Sequence, residues 1–269
     1  MASTLELAEA LAKKAGYRIE SAFDEGMVGV VFLAEKLDGT KAVSKYYWKG
    51  LRASGLKEAE TLTIFDHANI VKLLASSDGG EERKEAAGGE EESGGTGNYA
   101  IFLERGAGNL QHLLTKVNTK LEEEELRYVA ACILAPLRLI QTINGQHADV
   151  QAKNCICFTS GAIKLIDFEN WASPRTSNTD IQKAGRVLVH LFSGEDTTDL
   201  RRQQKALLSR QASHAFYTAV TSLHHMESLL SDLSASPLLR WLGDLSIESP
   251  VSHKFAPKTL IQKIKKLPH

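Results

Sequence analysis

The amino-acid sequence predicts an α+β fold in two lobes: a small antiparallel β-rich N-terminal lobe with one helix, then a larger, mainly helical C-terminal lobe. Three observations carry this prediction. The apolar segments between Tyr17 and Lys45 are short and are interrupted by Asp38-Gly39, a dipeptide that favours a tight hairpin turn. From Leu110 onward helical spacing dominates, apart from a short β segment around residues 155 to 166. Glu104 to Gly108 reads as a connector, and two lobes so joined imply a cleft.

Ser3 and Glu6 have capping-box spacing, so a first helix is expected to run to Lys14, with Leu7 and Leu11 on one face and Gly16 ending it. Val28, Val30, Val31, Phe32 and Leu33 surround a glycine turn within an antiparallel meander. Residues 55 to 65 return to helical spacing through Leu56, Leu62 and Phe65, and Ile70, Val71 and Leu73 read as the next strand. Residues 78–97 are rich in glycine and glutamate with no aliphatic anchor larger than alanine, which predicts a disordered, solvated loop. Tyr99 to Leu103 is an apolar strand, and Leu110 to Leu114 opens the helical section. The boundaries are an N-terminal helix at 1–16, an N-lobe at 17–103, a C-lobe at 104–245 and an extension at 246–269. Within that extension, Leu260, Ile261 and Ile264 form an apolar strip on a basic helix, expected to pack on its own lobe rather than on a membrane or an acidic partner.

A chain of 269 residues, 43% hydrophobic and 24% charged, can bury a substantial core. Its formal net charge of −1 gives no strong nucleic-acid signal, because polyanion binding draws on a broad positive field. No apolar run is long enough for a membrane span, and Glu6 and Glu9 interrupt what a signal peptide would need, so a cytoplasmic protein is expected. Cys132, Cys155 and Cys157 read as free thiols in core packing. Cys155 and Cys157 would share one side of a strand, but histidine ligands at suitable spacing are absent. His224-His225 reads as surface histidines rather than a ligand pair or pH sensor, since adjacent helical residues point in different directions.

The strongest chemical signal is His147-Ala148-Asp149, with Asn154 five positions after the aspartate and Asp167-Phe168-Glu169 after a short β segment. It resembles the catalytic loop and metal-binding motif of protein kinases. Phosphoryl transfer needs a base-like carboxylate near the acceptor hydroxyl and oxygen ligands that hold magnesium against the phosphates. The resemblance assigns the first role to Asp149 and the second to Asn154 and Asp167.

The N-lobe carries matching parts. Asp24 to Val31 looks like a kinase phosphate loop with its first glycine replaced by aspartate, keeping Gly26, Gly29 and Val31. Ala42-Val43-Ser44-Lys45 resembles the strand whose lysine contacts the α and β phosphates. Counting back from His67-Ala68-Asn69-Ile70-Val71, the partner carboxylate of Lys45 is Glu58, with Glu60 as the other candidate. The same resemblance implies that Val43, Leu103 and Glu104 line the nucleotide, and that Asp180, five residues before Gly185, steadies the catalytic loop from the start of a buried helix. The implied cofactors are ATP or ADP with Mg2+.

Departures from the kinase pattern shape the functional reading. Ala148 replaces the arginine that receives an activating phosphate, and Glu169 replaces a glycine beside the metal site. Gln151 replaces a common catalytic-loop lysine, although Lys153 lies where tyrosine kinases often place a cation. Only the residues between Glu169 and Asp180 remain for the peptide-binding segment, so a protein substrate lacks its usual platform. These departures are similar to those of the kinase-homology domain of ribonuclease L and of its stress-sensing kinase-endoribonuclease relative. That likeness runs from about Tyr17 to Leu245 and includes Leu230 to Trp241. It implies a pseudokinase or weak kinase acting as a nucleotide-gated regulatory module, with a homodimer or a protein partner. Ribonuclease activity is not expected, because the chain ends soon after Trp241 and no ankyrin pattern precedes residue 17. The alternative is an active kinase that transfers the γ-phosphate to a protein or, as the resemblance of Ile166 to Glu169 to choline and aminoglycoside kinases implies, to a small-molecule hydroxyl.

Overall fold

The computed structural model describes residues 3–25, 29–79, 97–171, 179–226, 228–229 and 236–267. It is an α+β structure in two compact units, Met1–Asp66 with Lys72–Arg105, and His67–Val71 with Gly106–His269. Gly26, most of the 78–97 tract, the 172–178 part of the short segment after Glu169, and Leu230 to Ala235 lie outside the described residues.

The first unit begins with α1 (Thr4–Lys14), whose capping box is complete: Glu6 N–H donates to the Ser3 hydroxyl at 3.3 Å, and Ser3 N–H donates to the Glu6 carboxylate at 2.6 Å. Its buried face is Ala8, Leu11 and Ala12, whereas Leu7 is exposed. The spacing of 8, 11 and 12 centres the contact one step away from Leu7, which therefore falls on the rim. Five strands follow: β1 (Tyr17–Glu25), β2 (Gly29–Lys36), β3 (Lys41–Tyr47), β4 (Leu73–Asp78) and β5 (Tyr99–Glu104). They form an antiparallel sheet in the order β1-β2-β3-β5-β4. The Asp38-Gly39 turn joins β2 to β3, and the Thr40 side chain first, then Thr40 N–H, which donates to Asp38 Oδ1 at 2.8 Å, hold the Asp38 carboxyl below its ordinary range.

Strand alternation divides the sheet into two faces. Phe32, Ala34, Ala42, Tyr46 and Phe102 are buried together with α1 on one face, where Tyr17 stacks on Phe102 at 4.5 Å. On the other face the register sets Val31 opposite Lys45 opposite Ile101, and Leu33 opposite Val43 opposite Leu103. Next in the chain after β3 comes α2 (Arg52–Ile64), with Glu58, Ala59 and Leu62 buried. Arg52 at its start is paired with Asp78 at the end of β4 through Nε and Nη2, one to each carboxylate oxygen.

Ile70 and Val71 do not continue into β4 as the apolar run suggested. Val71 N–H donates to Leu165 O at 2.9 Å, Leu165 N–H donates to Asn69 O at 2.9 Å, and Ile70 bridges Leu165. The fully buried Asn69 fastens this stretch into the second unit: its Nδ2 donates to Ile163 O at 3.0 Å and its Oδ1 accepts from Val251 N–H at 2.7 Å. A buried amide with its hydrogen-bonding capacity met in this way outweighs local β propensity.

The second unit contains β6 (Gly108–Asn109), α3 (Leu110–Thr115), α4 (Glu123–Thr142), β7 (Cys155–Cys157) and β8 (Ile163–Leu165). After these come α5 (Asp180–Ser193), α6 (Leu200–Ser209), α7 (His214–Leu223), α8 (Pro237–Leu242) and α9 (Lys258–Ile264). Strands β6, β7 and β8 form a small antiparallel sheet. Helices α4 and α5 carry long buried runs, including Val129 to Leu137 and Val187 to Phe192. The last helix packs within this unit: Leu260 and Ile264 are fully buried, and Lys263 Nζ reaches Glu125 Oε2 at 2.6 Å. Among the described residues no helix is long and apolar enough to cross a membrane.

Candidate functional site

The loop from His147 to Asn154 is held by the first residue of α5. Asp180, almost fully buried, accepts from His147 N–H at 2.7 Å and from Ala148 N–H at 3.0 Å. Burial raises the Asp180 carboxyl above its ordinary range, opposed by these bonds and by His147 and Lys183. The buried His147 ring accepts from Asp149 N–H at 3.2 Å, which leaves Nε2 as the donor to Ile166 O at 2.9 Å. Ile166 N–H in turn donates to Asn154 O at 3.0 Å. Both ends of the loop are therefore tied to the residue immediately before Asp167. The Phe168 ring, fully buried, meets the His147 ring edge-on at 4.7 Å.

Two non-glycine residues of this region adopt left-handed backbone, Ala148 at φ 67° and Asp167 at φ 72°. Such conformations are strained for L-residues, persist where surrounding bonds over-determine them, and cluster at functional sites. The Ala148 bonds to Asp180 and from Lys183 Nζ supply that over-determination.

Within the loop, Asp149 is covered by amides. Gln151 Nε2 lies 2.7 Å from both carboxylate oxygens, and Asn154 Nδ2 donates to Asp149 Oδ2 at 2.8 Å and to its carbonyl at 2.9 Å. With Nδ2 so committed, Oδ1 is the Asn154 atom left to meet a cation. The amide oxygen of Asn154 and a carboxylate oxygen of Asp167 are hard donors of the kind that could hold magnesium. Lys153 is exposed, and Glu169 is half-buried in the single helical turn Phe168–Asn170.

In the first unit, Val31, Val43, Lys45 and Leu103 share one sheet face, because directly paired antiparallel residues point the same way. Lys45 Nζ lies 2.9 Å from Glu58 Oε2, with the lysine 15% exposed and the glutamate 0%. Glu58 is thus the partner of Lys45, and Glu60 is exposed. Glu104 Oε1 accepts from Lys72 N–H at 2.8 Å, committing that side chain to its own unit. Gly29 has a structural reason of its own: a Cβ there would collide with the Tyr46 carbonyl oxygen on β3. Sequence reasoning did not single out Tyr47, whose hydroxyl donates to the same Glu58 oxygen that meets Lys45. A buried tyrosine two residues beyond the lysine, with a glycine inside the facing helix, was the available signal.

The remaining candidates lie elsewhere. All three cysteines are free and buried, and burial pushes the Cys132 thiol up to about 12, with Cys155 and Cys157 also raised. His224 is half-buried rather than a surface residue, and with His225 it lines a small cavity beside Leu200, Gln203 and Leu207. Burial, then His225, lowers the His224 pKa.

No protein-family model matches this chain, and no curated protein matches it.

Proposed function

We propose that the protein is a bilobal, protein-kinase-like module that binds ATP or ADP with magnesium and works as a nucleotide-gated regulatory or dimerisation domain of the ribonuclease L kinase-homology type. The observation that carries the reading is the closed hydrogen-bond circuit linking Asp180, His147, Ile166 and Asn154 around Asp149 and Asp167. Loop residues that merely connect strands have no need of a buried carboxylate from a distant helix. The first unit offers Lys45, held by Glu58, and the apolar Val31, Val43 and Leu103. Asn154 and Asp167 hold the metal, which neutralises phosphate charge when bound. Lys45 supplies a cation for the phosphates.

Binding without productive transfer is favoured by the state of Asp149. A general base must present a carboxylate oxygen to the acceptor hydroxyl, whereas here the Gln151 amide spans both oxygens and Asn154 takes a second position on one of them. An acceptor hydroxyl has to compete with those donors.

The test is thermal stabilisation by ADP and ATP with and without magnesium, run beside a phosphate-transfer assay on wild type and Asp149→Asn. The reading expects magnesium-dependent stabilisation and no turnover that Asp149→Asn removes. Robust transfer lost in Asp149→Asn establishes the kinase alternative, and no nucleotide-dependent shift refutes the module.

A further inference from the structure

The Tyr47 ring occupies a place that two separate features of the first unit prepare. Tyr47 is completely buried at the end of β3, and its hydroxyl donates to Glu58 Oε2, the oxygen that also meets Lys45 at 2.9 Å. Its ring lies against Gly55 in the interior of α2, where a Cβ would come within 2.6 Å of Tyr47 Cδ2 and 2.7 Å of Tyr99 Cδ1. Glycine is the least favourable helix residue after proline, so its presence there marks a close approach that the helix accommodates. Lys45 Nζ also stands 5.2 Å from the centre of the Tyr47 ring, within cation–π range. The aromatic ring therefore touches both members of the ion pair.

Packing alone does not explain the hydroxyl. Phenylalanine would fill nearly the same volume, and a phenol in a water-free position is unfavourable unless bonded. Burial first, then the neighbouring Glu58 charge, pushes the Tyr47 hydroxyl far above its ordinary pKa, so it remains a neutral donor throughout the working range. Glu58 consequently has two kinds of partner on one oxygen, a cation that can turn away and a neutral donor that cannot.

We propose that Tyr47 is a positioning residue for the Lys45–Glu58 pair, keeping a neutral donor on the carboxylate oxygen that Lys45 shares, so that the carboxylate stays in place when Lys45 turns to an anionic ligand. Its dependence on the nucleotide reading is confined to the identity of that anion. Tyr47→Phe removes the neutral donor and keeps the ring. Loss of one charge-assisted hydrogen bond weakens MgADP binding about tenfold, while adenosine, which has no phosphate, binds as before.

The test has a second arm that needs no ligand: acylation of Lys45 by an amine-reactive ester at pH 8, read residue by residue by mass spectrometry. Removing the phenol leaves more of the negative charge on Glu58 Oε2 to the ammonium, so Tyr47→Phe is acylated several-fold more slowly than wild type, and p-aminophenylalanine at position 47, which restores a donor, returns the rate. An unchanged acylation rate in folded Tyr47→Phe overturns the proposal even if its melting temperature falls, and so does an unchanged MgADP affinity where wild type binds. If Tyr47→Phe does not fold, the p-aminophenylalanine protein decides, with a wild-type rate supporting the proposal and a lowered rate overturning it. A wild type that fails to bind MgADP refutes the nucleotide reading, while the acylation comparison still decides the role of Tyr47.

Discussion

The Lys45–Glu58 pair of the first unit and the Asp149 loop of the second are built by opposite means. The pair joins a strand to a helix, buries a full negative charge and answers it with an ammonium and a phenol. In the loop, a carboxylate is surrounded by neutral amides two and five residues away, and its rigidity comes from a second carboxylate at the start of α5. In the first arrangement the carboxylate is met by a cation and a neutral donor. In the second the carboxylate is occupied, and that difference is why binding rather than transfer is the function proposed.

The largest expected effect comes from the pair. Glu58→Ala removes the buried carboxylate that meets a largely buried ammonium and a fully buried hydroxyl, so it should cost about 4 kcal/mol of unfolding free energy, measured by urea denaturation. A loss comparable to an ordinary surface substitution would show that the pair is not what organises this region. Next is Asp180→Ala, which leaves the His147 and Ala148 N–H groups without their acceptor and should cost about 3 kcal/mol, with Asp180→Asn retaining one bond and losing about half as much. If instead Asp180→Ala matched the stability of wild type, the contrast between the two regions would collapse.

These two elements also differ in how far the sequence exposes them. His147, Asp149, Asn154 and Asp167 are readable because their spacing is local and each residue type has few chemical uses. The capping box at Ser3 and the Asp38-Gly39 turn are legible for the same reason. Register is not local: that Val31, Val43, Lys45 and Leu103 share a face follows from pairings between distant strands. The placement of Ile70 and Val71 depends on Asn69 reaching Val251, which no apolar pattern around residue 70 reveals. Helical spacing puts Leu7 on one face with Leu11, but spacing gives a stripe and not its centre, and Leu7 is exposed. Gly29 reads as a phosphate-loop glycine, yet the approach of Tyr46 already requires it.

The smallest expected effect lies away from both regions. Because the native state lowers the His224 pKa, the unfolded chain takes up its proton first on acidification. The His224 contribution is therefore present above the ordinary histidine pKa and is lost as pH falls through the native value. The drop in melting temperature between pH 7 and pH 5 should be smaller in His224→Gln than in wild type, an effect reduced by the partial exposure of the ring. An equal drop in both proteins would place the acid sensitivity elsewhere.

The central claim is that the protein binds a magnesium nucleotide, and isothermal titration with ADP tests it most directly. The account predicts binding that requires magnesium, that Asp167→Asn abolishes by removing the proposed metal-holding carboxylate, and that Lys45→Met abolishes by removing the proposed phosphate-binding cation. Equal ADP affinity with and without magnesium, or with either substitution in place, would contradict it.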